Sequence, residues 1–232
     1  MKKTKLPTRV AKGYGVMLRT VDADRRAYNG FRWPKVGPVK APDWSPRAQC
    51  GGGLHGCLWG QGNGIIGMND ETRLWQAVLI RLKDAVDLGG KVKVPRGRVL
   101  MTGKREAVCA FVASLAPPGV GVPYTSVAAG KQGTASAGDR GQASAGAYGQ
   151  ASAGAYGQAS AGAYGQASAG YGGQASAGDG GYFIVRYWDS KLERWRPKVG
   201  EVGIDGIKPD QHYAVKDGAW VEVAAKPKAA KK

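Results

Sequence analysis

Residues 141–164 read Gly141-Gln-Ala-Ser-Ala-Gly-Ala-Tyr148 three times without a change. Variants of this octad occupy residues 125–132, 133–140, 165–172 and 173–180. A fixed period over 56 residues is typical of repeat architectures, in which each unit buries its apolar side against the next. Because Gly, Ala, Ser and Gln supply no acid–base, nucleophilic or metal chemistry at neutral pH, this part of the chain is predicted to be structural or adhesive.

The octad predicts a narrow β-solenoid. In an extended octad that begins with Gly at position 1, the alanines at positions 3 and 5 share one face, and the serine at position 4 lies on the other. Alanine methyl groups can fill an interior only where the backbones lie very close together. The glycines at positions 1 and 6 are expected at the corners, where positive φ or close approach is needed. Two octads then make one coil of about 16 residues, with coils about 4.8 Å apart.

Glutamine and tyrosine are predicted to face outward, in ladders that run along the solenoid. The residues of this predicted outward ladder are Gln142, Gln150, Gln158, Gln166, Tyr148, Tyr156 and Tyr164. A calcium-binding roll would need an Asp in each repeat, and collagen would need Gly at every third residue. Disorder is the remaining alternative, because such tracts bury little apolar surface. We favour the ordered solenoid because β-like segments flank the repeats and can close its ends.

The whole sequence predicts a mainly β protein with a small α+β N-terminal domain and a C-terminal β cap. Apolar alternation predicts strands at 14–21 and 74–82, and a helical period covers 104–115. Residues 95–97 are predicted to be the turn of a hairpin. The predicted domains are a mobile basic leader (1–12), an α+β domain (13–118), the solenoid (119–180), the cap (181–223) and a Lys-rich tail (224–232).

The net charge of +17 points to an anionic partner. Both tails are basic without acidic residues, and a nucleic acid or an acidic protein surface is the predicted partner. The candidate contacts are Lys2, Lys3, Lys5, Arg9, Lys12, Lys226, Lys228, Lys231 and Lys232. The alternative is that the tails only keep the chain soluble. We expect neither a membrane span nor a signal peptide, and the three cysteines favour a reducing cytoplasm.

Cys50, His55 and Cys57 are the candidate metal ligands, since they lie within eight residues. A structural zinc site needs four ligands, so a fourth would have to come from elsewhere. The favoured alternative is a glycine-rich turn in which His55 bonds to the backbone. A Cys57–His55 dyad lacks a nearby Asp or Asn to orient the imidazole. We therefore expect no catalytic residue, no cofactor and no small-molecule substrate, and Cys109 is expected in the core.

Aromatic residues alternate with basic ones in two segments, Phe31–Lys35 and Tyr187–Arg196. Such sets can stack bases and contact phosphates. The favoured interpretation is that these rings belong to the core and that the charges beside them lie on the surface.

The octads resemble the small-residue repeats of trimeric autotransporter adhesin heads, which fold as left-handed β-rolls. Most of the chain is similar to a group of bacteriophage and prophage proteins that share three elements. Here these are Cys50-Gly-Gly-Gly-Leu-His-Gly-Cys57, the octads, and Val202-Gly-Ile-Asp-Gly-Ile-Lys-Pro-Asp-Gln-His-Tyr213. The first element has one extra glycine. This resemblance implies a phage origin and brings no established activity.

The expected function is that of a phage-derived, non-enzymatic binding or structural protein, a dimer or trimer that serves as a virion surface or accessory component. One alternative is an early phage factor that binds and blocks a host macromolecule. A second is an ADP-ribosyltransferase-like enzyme in 13–118, which the Gly-Leu-His element resembles, although neither Glu71 nor Glu106 is a convincing catalytic residue. The expected location is the host bacterial cytoplasm after synthesis, or the virion after assembly.

Overall fold

The computed structural model describes residues 6–27, 30–62 and 70–224. The chain divides into two compact units, Met1–Val122 and Pro123–Lys232. The described residues are mainly β-strand with a single α-helix, and the second unit contains a β-solenoid. The predicted fold class is therefore confirmed. No helix in the described ranges is long and apolar enough to cross a membrane.

The N-terminal unit is built on one seven-stranded sheet. Its strands are β1 (Tyr14–Val21), β2 (Gly37–Lys40), β3 (Leu54–Leu58), β4 (Leu74–Arg81), β5 (Val86–Asp87), β6 (Val92–Val94) and β7 (Arg96–Gly103). Their order is β2-β7-β4-β1-β3-β6-β5, and every neighbouring pair is antiparallel. A 3₁₀ turn (Leu82–Asp84) follows β4, and helix α1 (Arg105–Ala113) follows β7.

The helix covers part of this sheet. Val108, Cys109 and Val112 are its buried residues, and the helix packs against β4 and β7. Their spacing of three to four residues gives α1 the apolar stripe that the sequence predicted. Burial raises the pKa of the Cys109 thiol to about 12, so the thiol behaves as a small apolar group. The predicted core position of Cys109 is confirmed.

The predicted hairpin turn at residues 95–97 is wrong. Strand β6 pairs with β3 and β5, whereas β7 begins at Arg96 and pairs with β4 and β2. The chain thus passes from one part of the sheet to another at this point. A Cβ on Gly97 would lie 2.8 Å from Val78 Cγ1, so this glycine serves a close approach to β4.

The second unit contains eleven strands in two solenoid sheets. They are β8 (Ser126–Ala129), β9 (Thr134–Ala137), β10 (Gln142–Ala145), β11 (Gln150–Ala153), β12 (Gln158–Ala161), β13 (Gln166–Ala169), β14 (Gln174–Ala177), β15 (Tyr182–Asp189), β16 (Arg194–Glu201), β17 (Tyr213–Lys216) and β18 (Ala219–Glu222). The first solenoid sheet has the order β18-β17-β14-β12-β10-β8 and the second the order β16-β15-β13-β11-β9.

Successive octads alternate between the two sheets. Gln142 pairs in parallel with Gln158, sixteen residues later, and Gln150 pairs with Gln166 in the other sheet. The predicted coil of two octads is therefore confirmed. Strands β8 to β15 make about four coils over residues 126–185.

The interior of the solenoid is made of alanine methyl groups, as predicted. The buried alanines are Ala135, Ala137, Ala143, Ala145, Ala151, Ala153, Ala159, Ala161, Ala167, Ala169, Ala175 and Ala177. At the C-terminal end this narrow core widens into large side chains, namely Phe183, Val185, Ile207, Tyr213 and Trp220. The hairpins β15–β16 and β17–β18 carry most of them, so a β cap closes this end.

At the corners, the predicted close approach of the glycines is confirmed, and the alternative of positive φ at these glycines is wrong. Positive φ belongs to position 8 of the octad, as in Tyr148 at 56°, and not to the glycines at positions 1 and 6. Those glycines serve close approach instead. A Cβ on Gly149 would lie 2.8 Å from the carbonyl oxygen of Gly133, and one on Gly162 would lie 2.7 Å from the amide nitrogen of Ala147. The neighbouring coil therefore excludes any side chain at these two positions.

Candidate functional site

Amide side chains form a hydrogen-bonded ladder on the outer face of the first solenoid sheet. The Nε2 atom of Gln142 donates to Oε1 of Gln158 at 3.3 Å, and Nε2 of Gln158 donates to Oε1 of Gln174 at 2.9 Å. The ladder exists because parallel pairing without a register shift places identical side chains in successive coils. In the second solenoid sheet, Gln150 and Gln166 are register partners in neighbouring coils.

The cap covers part of the first solenoid sheet. His212 Nε2 lies 3.0 Å from the Ser160 hydroxyl, and Ser176 is buried. Burial lowers the pKa of His212 below its usual value, which keeps the imidazole neutral in this contact. In the second solenoid sheet the row of outer serines stays accessible, and Ser168 Oγ donates to Ser152 Oγ at 3.2 Å. This second sheet presents the more open polar face.

One line of corners carries a stacked pair of tyrosines. The rings of Tyr148 and Tyr164 lie 5.2 Å apart at an interplanar angle of 14°. The ammonium group of Lys131 lies 5.9 Å from the Tyr148 ring centre. Tyr148 and Tyr164 hold the same octad position one coil apart, so the coil spacing sets their stacking distance.

The other line of corners carries a longer aromatic row, which we define as Arg140, Tyr156, Tyr171, Trp195 and Trp188. The Arg140 guanidinium lies 4.7 Å from the Tyr156 ring centre. The distance between ring centres is 5.5 Å from Tyr156 to Tyr171, 5.0 Å from Tyr171 to Trp195, and 5.2 Å from Trp195 to Trp188. The aromatic row therefore continues from the corners onto the β15–β16 hairpin.

The rings of the aromatic row are exposed to solvent. Tyr156 is 51% exposed, Trp195 45% and Trp188 46%. The interpretation of Trp188 and Trp195 as core residues is therefore wrong, because they lie on the part of the hairpin that extends past the alanine core. For Phe31–Lys35 the same interpretation is supported, since Trp33 is 1% exposed and Phe31 packs against it edge-on at 5.8 Å.

The positive charge resides mostly in the N-terminal unit. Residues 1–122 hold 21 basic and eight acidic residues, whereas residues 123–224 hold nine of each. Among the predicted polyanion contacts, Arg9 and Lys12 are exposed in the segment before β1. The others, Lys2, Lys3, Lys5, Lys226, Lys228, Lys231 and Lys232, lie outside the described residues.

The three candidate metal ligands do not converge. Cys50 is exposed, while Cys57 is buried and its thiol donates to the Gly90 carbonyl oxygen at 3.4 Å. His55 Nδ1 lies 3.0 Å from the Gly53 carbonyl oxygen, the backbone contact that the favoured alternative predicted. Within the described ranges, no group of three or more His, Cys, Asp or Glu side chains could hold a metal ion.

The segment around Cys50 and His55 instead forms one wall of a cavity of about 360 Å³ in the N-terminal unit. Its cationic lining residues are Arg19, Arg26, Arg73 and Lys91, and its carboxylates are Asp22 and Asp43. Sequence reasoning missed this cavity, because its charged residues come from separate segments. Glu71 and Glu106 do not line it; both lie within 4.0 Å of Arg105 on the surface.

No family model matches this chain, and no solved structure gives a significant match. The chain is similar to bacterial ice nucleation proteins. It is 27% identical over 100 residues to the ice nucleation protein InaU of Pantoea ananas, a match that covers 42% of this chain and 10% of that protein. An ice nucleation protein of Enterobacter agglomerans is also 27% identical over 100 residues, with 8% of its length covered. The matched region thus spans a tenth or less of these relatives.

Proposed function

We propose that this is a non-enzymatic contact protein that self-associates through the aromatic row of its solenoid. The observation that carries the proposal is the unbroken series of exposed rings from Tyr156 to Trp188. Exposed aromatic patches are typical of protein–protein interfaces, where Tyr, Trp and Arg are enriched. Arg140 at one end of the row and Arg186 beside Trp195 supply the arginines.

The charge balance of the second unit supports self-association over binding of a polyanion by this surface. Residues 123–224 are neutral overall, so two copies of the solenoid approach without net repulsion. A dimer or trimer would bury the rings that a monomer leaves in water.

The test compares two corner lines of the same solenoid. Trp188→Ser with Trp195→Ser removes two rings of the aromatic row, and Tyr148→Asn with Tyr164→Asn removes the stacked pair on the other corners. Asn tolerates the left-handed backbone at position 8. Light scattering after size exclusion is expected to show an oligomer for the wild type and the Asn variant, and a monomer for the Trp variant. A monomeric wild type, or an unchanged oligomer in the Trp variant, would overturn the proposal.

The setting we propose is a phage particle, in which the protein is a surface or accessory component assembled after synthesis in the host cytoplasm. The support is the resemblance of the three sequence elements to phage and prophage proteins. Immunodetection in purified particles is expected to find the chain. Its absence from particles, with presence early in infection, would favour the alternative of a host-blocking factor. For that alternative, the excess positive charge of residues 1–122 is the feature that would bind a nucleic acid or an acidic protein.

Ice binding is a second candidate function, favoured by the similarity to ice nucleation proteins. The open face of the second solenoid sheet repeats a Gln–Ser pair at the coil spacing, as in Gln150–Ser152 and Gln166–Ser168. Coils are about 4.8 Å apart, so the face presents hydroxyl and amide groups in a regular row.

A droplet-freezing assay tests this second candidate. Ser152→Tyr with Ser168→Tyr places bulky rings on the open face, whereas Ser144→Tyr alters the first sheet as a matched control. If ice binding is correct, the wild type and Ser144→Tyr will raise the freezing temperature of droplets, and the double variant will not. Equal freezing with and without the protein would exclude this function.

A further inference from the structure

The cavity of the N-terminal unit collects cationic groups from four separate segments. Arg19 comes from β1, Arg26 from the loop after it, Arg73 from the approach to β4, and Lys91 from the turn before β6. The lining carboxylates Asp22 and Asp43, together with Asp70, which forms an ion pair with Arg73 at 3.5 Å, compensate only part of this charge. A concave surface with excess positive charge focuses its potential on the space inside.

Arg19 is the central cation of this wall. Its guanidinium lies 3.8 Å from the centre of the Trp33 ring, and its Nη1 atom donates to the His55 carbonyl oxygen at 3.1 Å. No carboxylate in the described part of the chain forms an ion pair with it. Burial and the charge of Arg73 lower the pKa of Arg19 to about 9. A buried guanidinium without an anion is costly, and a bound anion would remove this cost.

Three buried polar atoms of the lining have no hydrogen-bond partner among the described residues: Nε of Arg19, Nε1 of Trp33 and Nε2 of His55. Buried polar groups are rarely left unsatisfied, so these three atoms call for an explanation, and a bound ion or molecule is one. The pKa of His55 is lowered by burial and by the positive charge of Lys91, with smaller effects of Lys93 and Arg19. The same positive field acts on the imidazole and would act on an anion beside it.

The glycine-rich wall of the cavity, residues 51–53, is held in place by contacts with its neighbours. Lys93, which is fully buried, donates through Nζ to the carbonyl oxygens of Gln49 and Gly51 at 2.9 and 3.0 Å. A Cβ on Gly52 would lie 2.9 Å from the Asp43 carbonyl oxygen, and one on Gly53 would lie 3.2 Å from the Trp44 ring. These contacts account for Gly52 and Gly53, whereas Gly51 has a positive φ of 90°.

From this geometry we infer that the cavity binds a phosphorylated small molecule of about nucleoside monophosphate size. The phosphate would lie among Arg19, Arg73 and Lys91, where charge-assisted hydrogen bonds are available. Ala27, Phe31 and Pro42 supply an apolar wall for the body of the ligand. A volume of about 360 Å³ lies within the range of small-molecule pockets. The inference differs from the sequence-based expectation of no small-molecule substrate and is independent of the proposed self-association.

Calorimetry on the full chain with three probes tests the ligand class. The probes are adenosine monophosphate, inorganic phosphate and uncharged adenosine. We expect saturable binding of the monophosphate, weaker binding of phosphate, and at least about tenfold weaker binding of adenosine, because loss of a charge-assisted contact costs about a factor of ten or more. Equal affinity for adenosine and its monophosphate, or no binding of any probe, would overturn the inference.

Variants locate the binding in this cavity. Lys91→Gln removes a cation at the rim, and Arg19→Met keeps an unbranched side chain over Trp33 while it removes the charge. Both are expected to weaken monophosphate binding about tenfold or more, whereas Lys83→Gln on the exposed 3₁₀ turn leaves it unchanged. Circular dichroism checks that each variant is folded. Wild-type affinity in a folded Lys91→Gln variant would contradict the assignment.

The two histidines provide an internal probe, since the chain has only His55 and His212. Histidine titration by NMR, with and without adenosine monophosphate, reads both residues in one sample. A phosphate in the cavity would stabilise the imidazolium, so the pKa of His55 is expected to rise on binding while that of His212, in the solenoid, stays fixed. A shift of neither histidine, or of both equally, would place the ligand outside this cavity and refute the inference.

Discussion

At the scale of single residues, three tyrosines hold the left-handed position of a corner, with φ near 56°. A left-handed L-residue costs about 1–2 kcal/mol, and ring stacking of about 0.5–1.5 kcal/mol offsets part of this. The two later octads have Gly172 and Gly180 at this position. A Cβ there would lie 2.7 Å from the Tyr156 ring and 2.6 Å from the Tyr164 ring. Glycine at position 8 of these two octads therefore leaves room for the tyrosine ring of the preceding coil.

Glycine at position 6 of the octad is expected to be essential only where a coil lies beneath it. A Cβ on Gly146 would lie 2.8 Å from the amide nitrogen of Lys131, whereas one on Gly130, in the first octad, would meet nothing within 4 Å. Gly146→Ala should destabilise the protein by about 1–3 kcal/mol. Gly130→Ala, at the same repeat position, should be neutral or stabilising by up to about 1 kcal/mol. Urea unfolding measures both, and equal losses would refute the stacking explanation.

The stability of the solenoid should fall in mild acid because of His212. Its folded-state pKa is lowered by burial, so the unfolded chain takes up a proton first as the pH drops below about 6.5. The stability that neutral His212 provides is complete above this pH and is lost as the pH falls through the folded-state pKa. His212→Gln, in a His55→Gln background, should flatten the unfolding midpoint between about pH 7 and 5. The His55→Gln protein alone should keep the pH dependence, and a flat profile there would exclude His212 as its source.

At the scale of elements, the solenoid strands can pack so closely because only methyl groups separate the two sheets. Ala159→Val adds two carbons at a fully buried inward site and should destabilise the protein by about 1–3 kcal/mol. Ala128→Val adds the same volume at an exposed outer site of β8 and should change stability by less than about 0.5 kcal/mol. Thermal unfolding followed by circular dichroism gives both values. A tolerated valine at 159 would mean that the core is looser than described.

Strands and helices were predictable where a pattern of neighbouring residues specifies them. Ala at positions 3 and 5 and the strict period predicted the coil of two octads, and the apolar spacing at 108–112 predicted α1. The partners of β6 and β7 were not predictable, because residues 91–101 satisfy a hairpin pattern as well as the observed crossover. The close approach of the corner glycines was predicted, but the positive φ at position 8 was missed because tyrosine rarely adopts this conformation.

At the scale of the whole molecule, each unit has its own core, and the second should fold by itself. Residues 123–232 produced alone are expected to give a β-rich circular dichroism spectrum and one cooperative unfolding transition. Elastase should leave residues 141–180 intact, because each of the strands β10 to β14 pairs with a strand on either side. A random-coil spectrum with rapid cleavage inside the octads would show that the repeats do not form an independent solenoid.

The candidate sites differ in how far the sequence could reveal them. The Gln and Tyr ladders follow from one repeat unit, so their spacing was predictable once the coil length was known. The cavity of the N-terminal unit needs residues 19, 26, 73 and 91 to meet, and no local pattern encodes that convergence. The aromatic row was predictable only in part. Tyr171 belongs to the repeats, but Trp195 lies on a hairpin whose exposure depends on where the alanine core ends.

Because each half of a coil is one octad, the number of octads sets both the length of the solenoid and the rotation of its C-terminal end about the solenoid axis. One added octad would lengthen the rod by half a coil, about 2.4 Å, and turn everything that follows through half a revolution about its axis. Two added octads would lengthen it by about 4.8 Å and restore the original azimuth. Adding or removing an even number of octads thus changes only the length of the solenoid. An odd number moves the β15–β16 hairpin, with Trp188 and Trp195, to the opposite side of the solenoid.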